Sequence, residues 1–463
     1  MPSINFYRLI KARIALWGYG LENQAVLKAI REFMPEKSVD LVIDPVEAEQ
    51  WDFSVDPHLK LVTENVEKGV LGTYQYVIKS PGISPYDRNV EWAHFRGTRF
   101  ISGTNLWFGE HPHLKTICVT GSKGKSTTSA LIAHLLRHDR QRTALAGNIG
   151  LPLLEVPMTP PPDWWVIEMS SYQTYDFHGV PACAVVLNLF PEHLNWHGGS
   201  EDHYYNDKLK ILAAGKAEVA VLNAADAELM RRTADFPRKL LFNQSSGWHS
   251  AQHAIYRGSE RVLGLGDLRL SGPHNASNVC AALATLEACG FDAVALAPHV
   301  RTFQPLPHRL QRLGNRGGVE WVNDSISTTP HATIAALESL SGRPTTVIVG
   351  GFDRGLSWQV FADFLARQPA HAVVVQGANA ARIAETLAPV LQPGGIRSAI
   401  VSDLTAAVAA ARELTPAGGT VLLSPGAPSF DQFADYVARG AAFADLAGFE
   451  GMALGNIEGL GVA

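Results

Sequence analysis

The run Thr116-Ile117-Cys118-Val119-Thr120-Gly121-Ser122-Lys123-Gly124-Lys125-Ser126-Thr127 narrows the folds open to this chain more than any other stretch. It reads as a strand, a glycine-rich turn and a helix start, a unit of α/β proteins. Gly121 and Gly124 give the backbone freedom to aim several N–H groups at one anion. Lys125 can reach outer phosphates, and Ser126 can offer its hydroxyl to Mg²⁺ at the positive end of the following helix. The spacing G-x-x-G-K-S is two residues shorter between the glycines than the common P-loop, and an ordinary strand–helix turn can carry it. The apolar β-branched run Ile117–Thr120 before it and the amphipathic helix Thr127–Arg137 after it favour a phosphate cradle. A nucleoside triphosphate is the expected ligand.

At 463 residues the chain exceeds one ordinary core, so two or three domains are expected. A net charge of −5 without basic runs argues against nucleic-acid binding. Cys118, Cys183, Cys280 and Cys289 suit neither a disulfide framework nor a zinc site and read as buried thiols. No signal-peptide pattern or transmembrane-length apolar run is visible, so no membrane insertion and a cytoplasmic location are expected.

The pattern is α/β throughout. Strands are predicted at Arg13–Trp17, Val39–Asp44 and Tyr76–Lys79, with a helix at Leu21–Phe33, making a small Rossmann-like unit. A second unit starts near Lys115 and continues through strands Trp164–Glu168, Ala184–Leu189 and Val219–Asn223. A third carries strands Val319–Asn323, Thr345–Val349, Ala372–Gln376 and Val421–Ser424, with a helix at Leu404–Leu414. The expected domains are 1–104, 105–305 and 306–463, with a linker at Gln304–Arg309; residues after Gly448 are expected to be mobile.

Several side chains then carry chemistry. Glu168 ends an apolar strand and can hold Mg²⁺ beside a triphosphate, or be a solvated strand-end acid. His193 follows a strand that should flank the phosphate turn, whereas His197 reads as structural. By pattern alone Lys208 is an exposed helical lysine. Asn278 can contact an adenine edge or cap the helix Asn278–Cys289. Arg309 and Asp324 flank the start of the third unit, and an arginine there could stabilise phosphoryl-transfer charge.

Their order is more specific than any single motif. With the phosphate turn, Gly147-Asn148-Ile149-Gly150, Glu168-Met169-Ser170-Ser171, Glu192-His193-Leu194, Lys208, His274-Asn275-Ala276-Ser277-Asn278, Pro307-His308-Arg309, Asn323-Asp324-Ser325 and Ser424-Pro425 in this order, the chain resembles the Mur ligases over about residues 12–447. Ser80-Pro81-Gly82, Gly351-Phe352-Asp353-Arg354-Gly355 and Ser429-Phe430-Asp431-Gln432-Phe433 resemble the glutamate-adding branch. The resemblance implies three α/β domains: Rossmann-like, P-loop ATPase-type and Rossmann-like. It also implies an ATP-dependent ligase of peptidoglycan precursor synthesis, joining glutamate to UDP-N-acetylmuramoyl-L-alanine through an acyl phosphate and acting as a monomer. It places Gly121, Ser122, Lys123, Gly124, Lys125, Ser126, Thr127, Asn278, Arg309 and Asp324 at ATP. Two Mg²⁺ sites draw on Ser126, Glu168, His193 and Lys208, the last as a lysine carbamate formed with CO₂. Gly18, Gly20, Asp44, Ser80, Asn148 and His193 fall to the uridine-nucleotide substrate, and Thr328, Arg354, Ser429 and Tyr436 to glutamate.

The departures from the family pattern cluster. Lys123 stands where asparagine is usual, Glu192 where aspartate is usual, and Asn195-Trp196 replaces Asp-Arg. In the third unit Ile326 and Arg354 stand where lysines are typical and Tyr436 where phenylalanine is typical, a pattern that resembles the branch adding L-glutamate. D-glutamate ligation, another Mur-type or folylpolyglutamate-type ligase, and a catalytically silent P-loop protein are the competing readings.

Overall fold

The computed structural model describes residues 4–49, 51–63, 69–215, 217–270, 272–304, 306–340, 342–353, 355–391, 395–450, 457 and 459–463. They fall into two compact units, one of residues 1–268, 274–303 and 459–463, the other of residues 269–273 and 304–458.

The first unit holds two sheets. The N-terminal sheet is wholly parallel, with strands in the order Leu59–Val62, Val39–Val42, Ile14–Trp17, Tyr76–Lys79 and Arg99–Ile101. Its strand order reverses between Ile14–Trp17 and Tyr76–Lys79, and in open α/β sheets ligands bind in the crevice beyond the strand ends at such a reversal. Gly18–Gly20 and Ser80 follow these two strands directly.

The second sheet of this unit has ten strands. Cys183–Val186, Thr116–Thr120, Trp164–Glu168 and Thr143–Gly147 are parallel neighbours in that order. All their residues are buried, which is why they read as continuous apolar runs rather than alternating ones. Val119 pairs with Glu168, and Thr120 with Val186, so the phosphate turn, Glu168 and the segment after Val186 all leave the sheet at the carboxyl ends of these central strands. Outer strands Trp248–Ala251, Ala254–Arg257 and Glu260–Gly264 form an antiparallel meander that the sequence reading did not anticipate.

At the other edge Gly461–Val462 pairs antiparallel with Thr143–Gly147. This corrects the expected mobility of the tail for residues 459–463. Arg137 reinforces it, donating to the carbonyls of Thr143, Gly459 and Gly461. Most of 451–458 lies outside the described residues.

The second unit carries one six-stranded sheet in the order Gln311–Arg316, Val319–Asn323, Thr420–Leu423, Thr345–Val349, Ala372–Val375 and Arg397–Ile400, parallel except for the first pair. Both faces are apolar: Phe361, Ile383 and Leu387 pack on one side, Val408, Ala411 and Phe443 on the other. Among the described residues no helix is long and apolar enough to cross a membrane.

Candidate active site

The phosphate turn has the backbone its glycines imply. Gly124 has φ +87°, and a Cβ there would sit 2.4 Å from Oδ1 of Asn278; one at Gly121 would meet Leu187 at 2.9 Å. Neither position tolerates a side chain, so the turn stays bare on the side facing Asn278 and Leu187. Asn278 does not cap its helix. The helix begins at Pro273, and Asn278 lies within it, donating to Asn275 at 3.1 Å.

Asn188 clamps Lys123 in both directions: the Lys123 N–H donates to Asn188 Oδ1 (2.8 Å), and Asn188 Nδ2 donates to the Lys123 carbonyl (3.1 Å). Ser122 does the same with Phe190, donating from Oγ to its carbonyl and accepting from its N–H. The Lys125 ammonium folds over the turn, donating to the carbonyls of Gly121 (3.0 Å) and Ser122 (3.1 Å). Ser126 and Thr127 follow in the first turn of helix Lys125–His138.

Lys208 is the main correction to the residue pattern. It is buried rather than exposed, at 2% relative accessibility, and donates to the Gly121 carbonyl over 2.9 Å. Its ammonium also lies over the Tyr204 ring, whose hydroxyl shares a hydrogen bond with Ser122. Burial, then the nearby Lys125 charge, holds its pKa well below the ordinary lysine value.

Glu168 is buried too, which removes the solvated strand-end reading. Its Oε1 accepts from Asn148 Nδ2 at 2.8 Å, while Oε2 is buried without a hydrogen-bond partner. An orphaned carboxylate oxygen beside a phosphate turn is a hard-cation donor. His193 takes a left-handed backbone, φ +54°. Desolvation pushes its ring down to about 4, with Glu192 opposing and Lys123, Lys125 and Lys208 assisting, so the imidazole is neutral. No cluster of three or more His, Cys, Asp or Glu occurs among the described residues. The donors here are instead one carboxylate, one imidazole, one hydroxyl and one buried amine.

His197 is structural, as expected: Nε2 contacts Ser171 Oγ (3.1 Å) and Nδ1 contacts Asp207 Oδ2 (2.8 Å), all buried. Tyr86, from the N-terminal sheet region, donates to the same Asp207 oxygen at 2.8 Å. Trp196 donates to the carbonyls of Pro81 and Gly82, which ties the segment after Ser80 to the turn carrying His193. The sequence reading missed Asn188, Tyr204, Asp207 and the use of Trp196, since each acts through a contact made only in three dimensions.

At the N-terminal crevice, a Cβ on Gly18 (φ +76°) would meet Ile83 at 3.0 Å and Ser80 Oγ at 3.1 Å. The Ser80 N–H donates to the Trp17 carbonyl at 2.9 Å, leaving its buried hydroxyl without a partner. Asp44 lies just beyond the strand Val39–Val42, beside which Gly18 N–H bonds the Val42 carbonyl.

In the second unit Asp324 is buried, accepting from Ser424 Oγ at 2.8 Å and the Leu310 N–H at 3.1 Å. Burial raises its pKa to about 6, against the pull of Ser327, Ser424 and the Arg309 charge. Tyr436 opens a helix and faces the His308 ring, 5.9 Å between centroids; its carbonyl accepts from Ser325 Oγ at 2.8 Å. Arg439, which the sequence reading missed, is buried, donates twice to Ser325 and keeps Nη1 without a hydrogen-bond partner. Ser429 follows Pro428, whose carbonyl accepts from Phe352, and Thr328 is half-buried on the segment after Asp324. Arg354 lies outside the described residues.

Comparison with known proteins points one way. Residues 119–286 match the Mur ligase middle domain, and residues 308–426 match the family described as Mur ligase, glutamate ligase domain. A protein of Xylella fastidiosa named UDP-N-acetylmuramoyl-L-alanine–L-glutamate ligase is 50% identical, covering 97% of this chain and 98% of its own. One of the same name from Micromonospora is 39% identical over 93% and 95%. Among solved structures, MurF from Acinetobacter baumannii superposes with TM-score 0.59 at 18% identity, covering 90% of this chain and 88% of its own. The UDP-N-acetylmuramate-alanine ligase of Thermotoga maritima gives 0.58 at 20%, covering 94% and 98%. At such identities these two speak to fold alone.

Proposed function

The chain belongs to the Mur ligase family, and we propose that within it this protein adds L-glutamate. It is an ATP-dependent ligase that joins glutamate to UDP-N-acetylmuramoyl-L-alanine in peptidoglycan precursor synthesis, and it uses ATP and Mg²⁺. The near-full-length identity to proteins named for L-glutamate carries the stereochemical reading. Ile326 and Tyr436, in the segments around Asp324 and Ser429, support it.

The reaction divides into two transfers. The alanyl carboxylate oxygen attacks the γ-phosphorus, breaking its bond to ADP and leaving an acyl phosphate. The glutamate amine then attacks the acyl carbon, the C–O bond to phosphate breaks, and the ammonium proton is released. In this reading the turn N–H groups and the Lys125 ammonium meet the phosphoryl charge, and Asn278, which packs on Gly124, contacts the nucleotide. Glu168, His193, Ser126 and Lys208 suit two Mg²⁺ ions, given the orphaned Glu168 oxygen. Bound there, Mg²⁺ supplies Lewis-acid stabilisation of phosphoryl oxygens. With its ammonium proton lost, which the lowered pKa favours, the Lys208 amine can add to CO₂, forming an N–C bond and losing a second proton, so that an anionic oxygen donor stands where the ammonium was.

Gly18, Gly20, Asp44, Ser80 and Asn148 take the uridine-nucleotide substrate in this reading. Arg309 and Asp324 contact the nucleotide, and Thr328, Arg354, Ser429 and Tyr436 the glutamate. The proposal includes a monomer, a cytoplasmic location and domain boundaries after 104 and 305. The test is phosphate release from purified protein, which should require ATP, UDP-N-acetylmuramoyl-L-alanine and an amino acid together. Release with a folate acceptor, or with none, contradicts it.

A further inference from the structure

Two of the departures from the family pattern touch each other. The Lys123 ammonium and the Glu192 carboxylate form an ion pair between the phosphate turn and the segment that carries His193. Lys123 is partly exposed and Glu192 mostly covered, at 39% and 15% side-chain accessibility. The pair is the last rung of a ladder. Ser122 N–H donates to the Asn188 carbonyl, Asn188 brackets the Lys123 peptide, and Ser122 Oγ brackets Phe190. After Glu192 the chain turns through the left-handed backbone of His193, an unusual conformation for a non-glycine residue that neighbouring contacts must hold.

The geometry points to Lys123 and Glu192 as one positioning unit for nucleotide use: the pair fixes the segment preceding His193 against the phosphate turn. It rests on reading that turn as the triphosphate cradle. An extra lysine alone would add a cation beside Lys125, and a longer acid alone would add an anion beside the phosphates. Together they cancel, and their joint reach spans the two segments. Breaking one partner strands a partly buried charge, whereas removing both does not.

A double-mutant cycle tests this on the full chain, with Lys123→Asn, Glu192→Gln and the double variant in the phosphate-release assay. Each single change should raise the KM for Mg-ATP about tenfold, and the double should be no worse than the worse single, as coupled residues behave. The KM for glutamate should stay within about twofold, a split that general destabilisation would not produce. Lys123→Arg should recover part of the loss in Lys123→Asn, because a guanidinium can meet the same carboxylate. Losses that multiply in the double variant, or singles with unchanged KM for Mg-ATP, overturn the pair. Lys125→Ala serves as the control. If it kept normal turnover, the cradle reading itself would fall and the pair with it; if it is inactive while the losses multiply, only the pair falls.

Discussion

The buried ammonium of Lys208 donates to the carbonyl oxygen of Gly121 at 2.9 Å, although 87 residues separate them. A lysine in that position faces a phosphate turn already carrying Lys123 and Lys125, and as a cation it would repel both. Its depressed pKa relieves that conflict, and conversion to a carbamate would reverse its sign.

Lys208→Ala should therefore lose about 10²- to 10³-fold in turnover, the scale of a removed transition-state contact. Acetate or formate should restore part of it by supplying the missing oxygen. A carbamate ¹³C resonance from ¹³CO₂ should appear in the parent protein and vanish in the variant.

Asn148→Ala should weaken Mg²⁺ use more than it weakens folding. The side chain holds Glu168 Oε1 at 2.8 Å, and without it both carboxylate oxygens lack a side-chain donor. A lost hydrogen bond to a buried charge costs about 1.5–3 kcal/mol. The Mg²⁺ concentration for half-maximal activity should rise, and saturating Mg²⁺ should recover most of the accompanying loss of thermal stability.

Asp324 sets a pH dependence in the second unit. Its pKa is raised from 3.8 to about 6, so the folded state holds the proton more tightly than the unfolded one. Stability from this group is full below pH 3.8 and is lost as pH rises through about 6, a change on the order of 3 kcal/mol. Asp324→Asn should flatten that slope. Amide-exchange protection in Val319–Asn323, compared between parent and variant at each pH, measures it.

Much of this was legible in the chain. Trp164–Glu168, Val219–Asn223, Val319–Asn323 and Leu404–Leu414 occupy the bounds that their apolar patterns imply, because buried parallel strands and amphipathic helices announce themselves locally. Lys208 did not. Its helix, Glu201–Leu209, is largely polar, and nothing in that local pattern shows that the lysine is buried and donates to the Gly121 carbonyl of a distant segment. The Lys123–Glu192 pair was visible only as two unrelated substitutions. The helix expected from Asn278 starts five residues earlier, at Pro273, a residue well suited to a first helical turn, and the meander at 248–264 was hidden because its strands are short and partly polar.

The most direct measurement is initial-rate phosphate release with L-glutamate and D-glutamate in parallel, at saturating Mg-ATP and UDP-N-acetylmuramoyl-L-alanine. A higher kcat/KM with L-glutamate, and a product carrying the L-residue, is the predicted result. Faster turnover of D-glutamate would show that Ile326 and Tyr436 are neutral in a D-glutamate ligase and would contradict the stereochemical claim.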